Sequence, residues 1–386
     1  VIERHTRDGG PPIYKAPTAP HESALRRFIC APDDFLLFMG PRRYPAIVCP
    51  TSNTPSSVSI LTSVGFRQLH LEEYTEAIRK LQPDVVIGMA DLVLGHAPGR
   101  KRREKMADRT HAHTMYTAEK LHGEHLKSAF FAPILPLEDT EQSLYLEEME
   151  TELHSYVSGL ALYEPASLGI IPETMGNLPR LLFSESATPH DILRDVSLGA
   201  DLLTLPFLVA SSDTGMALDF VFPPLPAASG AGGTPRPLAF NLWSSEYATD
   251  LSPLSENCSC YTCQNHHRAY LNHLLLAKEM LAWTLLQIHN HRIIDNFFSG
   301  IRGSIERGTF DEDSQAFHKT YASALPERTG EGPRYVYTYS LPRLLTESSL
   351  DVELLIIRFQ TPRLSTPRCQ GPWSASPLSE SFQPAR

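Results

Sequence analysis

The chain has 386 residues, of which 42% are hydrophobic, and a formal net charge of −10 from 34 basic and 44 acidic side chains. That is enough apolar material for one large α/β domain or two smaller ones. The acidic balance excludes a grip on phosphates by bulk charge, which needs Lys and Arg to displace counterions, so any nucleic-acid role must use a local basic patch or a partner's surface. No apolar run reaches the roughly 20 residues that span a bilayer, and the longest, residues 202–210, carries Pro206. Glu3, Arg4 and Asp8 break up any signal-peptide core, and an opening Val1 suggests a missing N-terminus. Three of the six cysteines crowd into six positions, which fits a reducing compartment better than a disulfide framework.

Residues 1–33 are rich in Pro, Arg and Gly and read as an irregular segment. Strands are predicted at 34–39, 84–89, 128–135, 156–162, 180–184, 200–205 and 238–243, from short β-branched or aromatic runs. Helices are predicted between them at 72–81, 106–126, 140–153 and 189–198, the last with Thr188 as its cap. The alternation implies parallel strands with covering helices, in a barrel or an open doubly wound sheet. Seven strands at this spacing favour an α/β fold of the TIM-like (β/α)8 barrel type over residues 34–243. Residues 223–237 read as a loop, 244–325 as a cysteine-bearing subdomain with helices, and 326–386 as an extension, disordered from about 360.

Cys258, Cys260 and Cys263 place three thiols in one short loop, and zinc takes thiolates readily. With one His they make a closed four-coordinate shell, the hallmark of a structural rather than a catalytic ion. His266, His267, His273, His289 and His291 all lie nearby in sequence. The first two sit awkwardly close to Cys263 for tetrahedral closure. A straight helix from Ala269 to His289 would be about 30 Å long at ~1.5 Å per residue. His289 can therefore be the ligand only if the chain folds back, near residues 277–279, where no Gly or Pro marks a bend.

Cys258, Cys260, Tyr261, Thr262 and Cys263, then Arg268, Ala269, Tyr270 and Leu271, then His289 and Asn290, resemble the zinc subdomain of tRNA-guanine transglycosylases. Asn241, Trp243, Tyr247, Asp250, Ser252 and Pro253 before them, and Phe297, Phe298, Ile301, Arg302, Ile305, Gly308 and Phe310 after them, agree as well. The resemblance covers about residues 34–317. It implies His289 as the fourth zinc ligand and a TIM-like barrel with an inserted zinc subdomain. The enzymes of this family exchange guanine at the tRNA wobble position, using an Asp nucleophile and a second Asp as general base.

Neither carboxylate is retained. The nucleophile's segment, Gly-x-Asp-x-x-Asp followed by Cys and a Pro-Thr-Arg run, corresponds to Gly199, Asp201 and Thr204, without the run. Thr204 stands in the nucleophile's place with no base adjacent in sequence, and Asp201 points to the opposite strand face. The base's segment corresponds to Thr62, Ser63, Val64, Gly65, Phe66 and Arg67, so the base becomes Thr62 and a glycine becomes Val64. The Val-Gln-Gly-Gly turn becomes Leu135, Pro136, Leu137 and Glu138. Asp91, which matches a purine-contacting Asp, and Gly159 and Glu164, which match the pocket lining, survive. Equally, Asp91 reads as a helix cap and Gly159 as an aid to tight strand packing.

The pattern is closest to the non-catalytic eukaryotic branch of the family. The resemblance implies a heterodimer with a catalytic queuine tRNA-ribosyltransferase subunit, tRNA held through that complex, and one structural zinc. It implies a cytoplasmic location, with peripheral association at the mitochondrial outer membrane. Two other readings are an active transglycosylase using a displaced carboxylate, Asp201 or Asp213, and a zinc-stabilised scaffold with no tRNA role. Residues 99–105 carry five cations in seven positions, in a predicted loop before a helix. They could touch tRNA phosphates or form a solvated run.

Overall fold

The computed structural model describes residues 12–15, 17–19, 22–62, 65–123, 126–225, 234–256, 258–333 and 356–358. Residues 1–11 of the start, Ser63, Val64, the centre of the 223–237 loop, Cys369 and the tail beyond 360 lie outside the described residues. A 3₁₀ turn, Pro12–Lys15, and helix α1 (Ala24–Phe28) precede strand β1 (Phe35–Met39). The pair β2 (Ser57–Thr62) and β3 (Gly65–His70) leads into α2 (Leu71–Leu81). Strand and helix then alternate as β4 (Val85–Ile87), α3 (Arg100–Gly123), β5 (Ala129–Ile134), α4 (Ser143–Thr151), β6 (Gly159–Leu162), β7 (Arg180–Leu182), α5 (Pro189–Ser197) and β8 (Leu202–Leu203). The remainder is α6 (Pro206–Asp213), β9 (Met216–Leu218), β10 (Ala239–Asn241), α7 (Tyr261–Asn265), α8 (Arg268–Leu276), α9 (Met280–Arg307), α10 (Phe310–Thr320) and β11 (Ile356–Arg358).

Six strands run parallel in the order β1-β4-β5-β6-β7-β8, a curled half-barrel, and β11 pairs antiparallel on the outer edge of β1. Side chains alternate between its faces with the strand period of two. Phe38, Val85, Ile87, Phe131, Ala161 and Leu181 fill one face. Leu37, Met39, Val86, Phe130, Ala132, Leu160, Leu162 and Leu182 meet the helices on the other. Burial on both faces explains why these strands read as near-continuous apolar runs. Tyr74 of α2 pins its helix across two strands, donating toward Met39 O (3.0 Å) and Ile87 O (2.7 Å).

Six of the seven predicted strands join this sheet. The seventh, predicted at 238–243, shortens to β10 and pairs antiparallel with β9. A parallel return needs a crossover, usually a helix, and no helix is described between Leu218 and Ala239. The structure also moves the basic run, since Arg100 to Lys105 form the first turns of α3 rather than a loop. Arg, Lys and Glu are good helix formers, and Gly99 O accepts from the amides of Arg102 and Arg103. Pro206 opens α6 at a position where its missing N–H has no helical partner to lose. Thr188 caps α5 as expected, in a reciprocal box with Asp191. A smaller core of Leu242, Leu254, Leu271, Leu275, Leu285 and Leu286 lies under α8 and α9.

Candidate metal centre and the Asp91 cluster

The ligand atoms of Cys258, Cys260, Cys263 and His289 all lie within 4.8 Å of one another. The first two cysteines and His289 are buried, while Cys263 is half-buried. His289 reaches them because the chain reverses between α8 and α9, at residues 277–279. Lys278 takes a left-handed φ of 59°, and its amide and that of Glu279 bond back to Leu275 O and Leu274 O. This is a glycine-type helix ending carried out by a lysine, so composition could not mark it. Lys278 also pairs with Glu331 at 2.7 Å.

Each ligand is set by its element. Cys260 caps α7, its Sγ accepting the Cys263 amide at 3.4 Å. Thr262, wholly buried, donates to Leu285 O of α9 at 2.7 Å and so fixes the cysteine loop one turn from His289. His289 Nε2 donates to Leu218 O at 2.9 Å. That bond holds the ring proton on Nε2 and turns the Nδ1 lone pair to the sulfurs, 3.3 Å from Cys263 and 3.7 Å from Cys260. Neither Thr262 nor Leu218 stood out in the sequence as part of the centre.

The electrostatics favour a cation. A hydrogen bond from Cys263, helped by His289, holds the Cys258 thiol down at about 3 against the effect of burial. The same bond pushes the Cys263 thiol up. Burial opposes charge on His289, but bonds to Cys258 and Cys260 carry it up to about 9. A soft divalent ion bound by these thiols and the imidazole would displace protons from them. Three thiolates and one imidazole, with no open position, fit a structural metal.

The second cluster lies beyond β4. Asp91 is wholly buried and accepts two bonds from Arg102 (2.7 and 2.6 Å), one from Arg109 (3.2 Å) and one from Asn53 (2.6 Å). Burial alone would raise its carboxyl, but these bonds and charges hold it below its ordinary value. Arg42 closes the far side, donating to Ala90 O (2.7 Å) and to Asn53 Oδ1 (3.2 Å). Asp91 is therefore an ion-pair acceptor rather than the helix cap considered from sequence. Arg102 belongs to the basic run, so part of that run points inward, and Arg103 likewise pairs with Glu141 at 2.5 Å.

Thr204 is buried, and its hydroxyl donates to Ser184 O at 3.3 Å. Asp201, just before β8, is exposed, and its carboxylate accepts the Arg180 amide at 2.9 Å. Thr62 donates to Gly65 O at 2.8 Å across the β2–β3 end. The turn after β5 is filled by Gln142, which accepts from the Leu135 amide and donates to Leu135 O and Leu137 O. Glu164 precedes a 3₁₀ turn without capping it, its carboxyl raised by burial and by Glu138. A Cβ on Gly159 would lie 2.5 Å from the Phe131 ring, so the glycine serves strand packing. Tyr163 and Phe183 stack at 5.2 Å, with Tyr44 tilted against Phe183.

Comparison with known proteins agrees with this geometry. A family model described as queuine tRNA-ribosyltransferase matches residues 14–323. The queuine tRNA-ribosyltransferase accessory subunit 2 of Schizosaccharomyces pombe is 32% identical over 329 residues, 83% of this chain and 72% of that protein. The protein of the same description from Gallus gallus is 26% identical, over 76% of this chain and 78% of its own length. A queuine tRNA-ribosyltransferase of Dehalococcoides mccartyi is 31% identical, over 55% of this chain and 52% of its own length. The breadth of the family match and the identity with the yeast protein are decisive, and the chain belongs to the queuine tRNA-ribosyltransferase family.

Proposed function

We propose that this chain is the non-catalytic subunit of a heterodimeric queuine tRNA-ribosyltransferase, supporting exchange of guanine for queuine at the tRNA wobble position. The observation that carries this reading is the state of the reaction centre. A buried Thr204, bonded to Ser184 O, stands in the nucleophile's place, and the purine-contacting Asp91 is consumed by Arg102 and Arg109. A threonine without a base is no nucleophile at neutral pH. Asp201, exposed and bonded to the Arg180 amide, is no substitute. The names of the yeast and chicken relatives point the same way.

The four-residue centre holds one Zn2+ in this reading, and the ion's part is to cross-link the cysteine loop to α9. Residues 244–325 form its subdomain, inserted in a (β/α)8-type barrel. The partner's surface is on the helix that the zinc subdomain fixes, α9, where Met280, Leu281 and Ile288 are 48%, 45% and 38% exposed. Among the described residues no helix is long and apolar enough to cross a membrane. The reading takes the chain to be cytoplasmic with peripheral attachment at the mitochondrial outer membrane, which carbonate extraction tests.

Coexpression with the catalytic subunit tests the reading. Labelled queuine should enter tRNA with both chains present and not with this chain alone. A covalent tRNA adduct on this chain alone would overturn it.

A further inference from the structure

We infer that Asn290 is a positioning residue for the metal centre, standing in for a missing strand so that metal retention and the docking of β9 are one unit. The inference rests on the zinc reading above. Asn290 is wholly buried on α9, next to His289. Its Oδ1 accepts the Leu218 amide at 2.9 Å, while its Nδ2 donates to Met216 O at 2.9 Å and to Ser212 Oγ at 2.9 Å. One amide accepting from residue i+1 and donating to residue i−1 is the bonding a parallel neighbour would offer Ala217.

The other edge of β9 is already paired with β10, from Met216 with Asn241 to Leu218 with Ala239. The carboxamide thus satisfies an edge that would otherwise bury an unpaired N–H and C=O. Leu218 is the hinge of the arrangement, since its carbonyl also takes the His289 Nε2 proton. A shift of β9 would move the bond that orients the ligand ring. Conversely, a ring released from metal would loosen Leu218. A group bonded directly to a ligand, as Leu218 O is to His289, usually changes metal affinity by about 10–100-fold when lost, and Asn290 holds that group in place.

Asn290→Asp keeps the shape and loses both donors of the carboxamide. Zinc transfer from the full-length protein to a chromogenic chelator should be at least about tenfold faster than in wild type. Amide exchange at Ala217 and Leu218 should rise in the variant, and also in wild type stripped of metal and returned to buffer. Ser212→Ala, which removes only the side-chain partner of Nδ2, should shift both readouts the same way by less, and serves if Asn290→Asp does not fold. Asn265→Asp, at the exposed C-terminal end of α7, should change neither. A wild type that retains no zinc would sink the metal reading and this inference with it. A zinc-loaded wild type whose variants release metal and exchange Leu218 at the wild-type rates would overturn the inference alone.

Discussion

Asp91 and Arg102 meet through two parallel bonds, of 2.7 and 2.6 Å, with the carboxylate shut off from solvent. In the catalytic relatives, the resemblance assigns the matching carboxylate to the purine. Here its lone pairs are spent on Arg102, Arg109 and Asn53 of the protein itself.

That pair should behave as a buried ion pair in stability measurements. Asp91→Ala leaves Arg102 and Arg109 without their anion and should cost about 3–5 kcal/mol in urea unfolding. A double replacement of Asp91 and Arg102 by apolar residues of similar volume should recover much of the loss. The pH dependence has a definite sign. The folded carboxyl lies below its unfolded value, so its stabilisation is present above the unfolded value near ~3.9 and fades as pH falls through the lower folded value. Asp91→Asn should flatten the fall of the urea midpoint in that acid range.

Restoring the nucleophile should not restore chemistry. Thr204→Asp would put a carboxylate at a site 1% exposed where the present hydroxyl donates to a carbonyl. The cost is a buried charge facing an acceptor, several kcal/mol as a rule. The variant should melt earlier than wild type and give no tRNA adduct on a denaturing gel. An adduct would show that the rest of the machinery had survived.

Removal of the metal ligands has a stoichiometric readout. Cys263→Ser and His289→Ala should each lower bound zinc from about one per chain toward zero, as measured by atomic emission. Acid should have the same effect on wild type, because the ion competes with protons for Cys258, Cys260, Cys263 and His289. Metal content unchanged in both variants would mean that the ion sits elsewhere.

The basic run divides into two halves with separate consequences. Arg102 and Arg103 are tied to Asp91 and Glu141, whereas Arg100, 86% exposed, pairs with the exposed Glu104. Charge reversal at Arg100 and Lys101 should weaken tRNA binding by the complex and reduce its salt slope by about 0.7–0.9 for each phosphate no longer neutralised. The same change at Arg102 should lower stability first. An unaltered salt slope in the Arg100 and Lys101 variant would assign those cations to a solvated surface.

Much of this was legible in the sequence. Cys258, Cys260 and Cys263 declare themselves by spacing, and the distance argument for His289 located the reversal that Lys278 makes. Thr62 and Thr204 showed the missing carboxylates because a hydroxyl cannot take the role of an anion. The partners of Asp91 were not legible, since Asn53, Arg102 and Arg109 converge only through the fold. The antiparallel setting of β10 was hidden for a related reason. An apolar run of a few residues carries no sign of its direction, and the connection before it decides.

The reversal at Lys278 places Leu271, Leu274 and Leu275 against Ala282, Leu285 and Leu286, all within sixteen positions of the chain. Neighbours so close in sequence close small loops at little entropic cost, while the parallel sheet must join strands separated by whole helices. The helical pair should therefore gain structure early in refolding, and pulse-labelled amides in α8 and α9 should be protected before those of β5 and β6. A chain assembled in that order offers its thiols and His289 to a metal ion before the half-barrel has been completed.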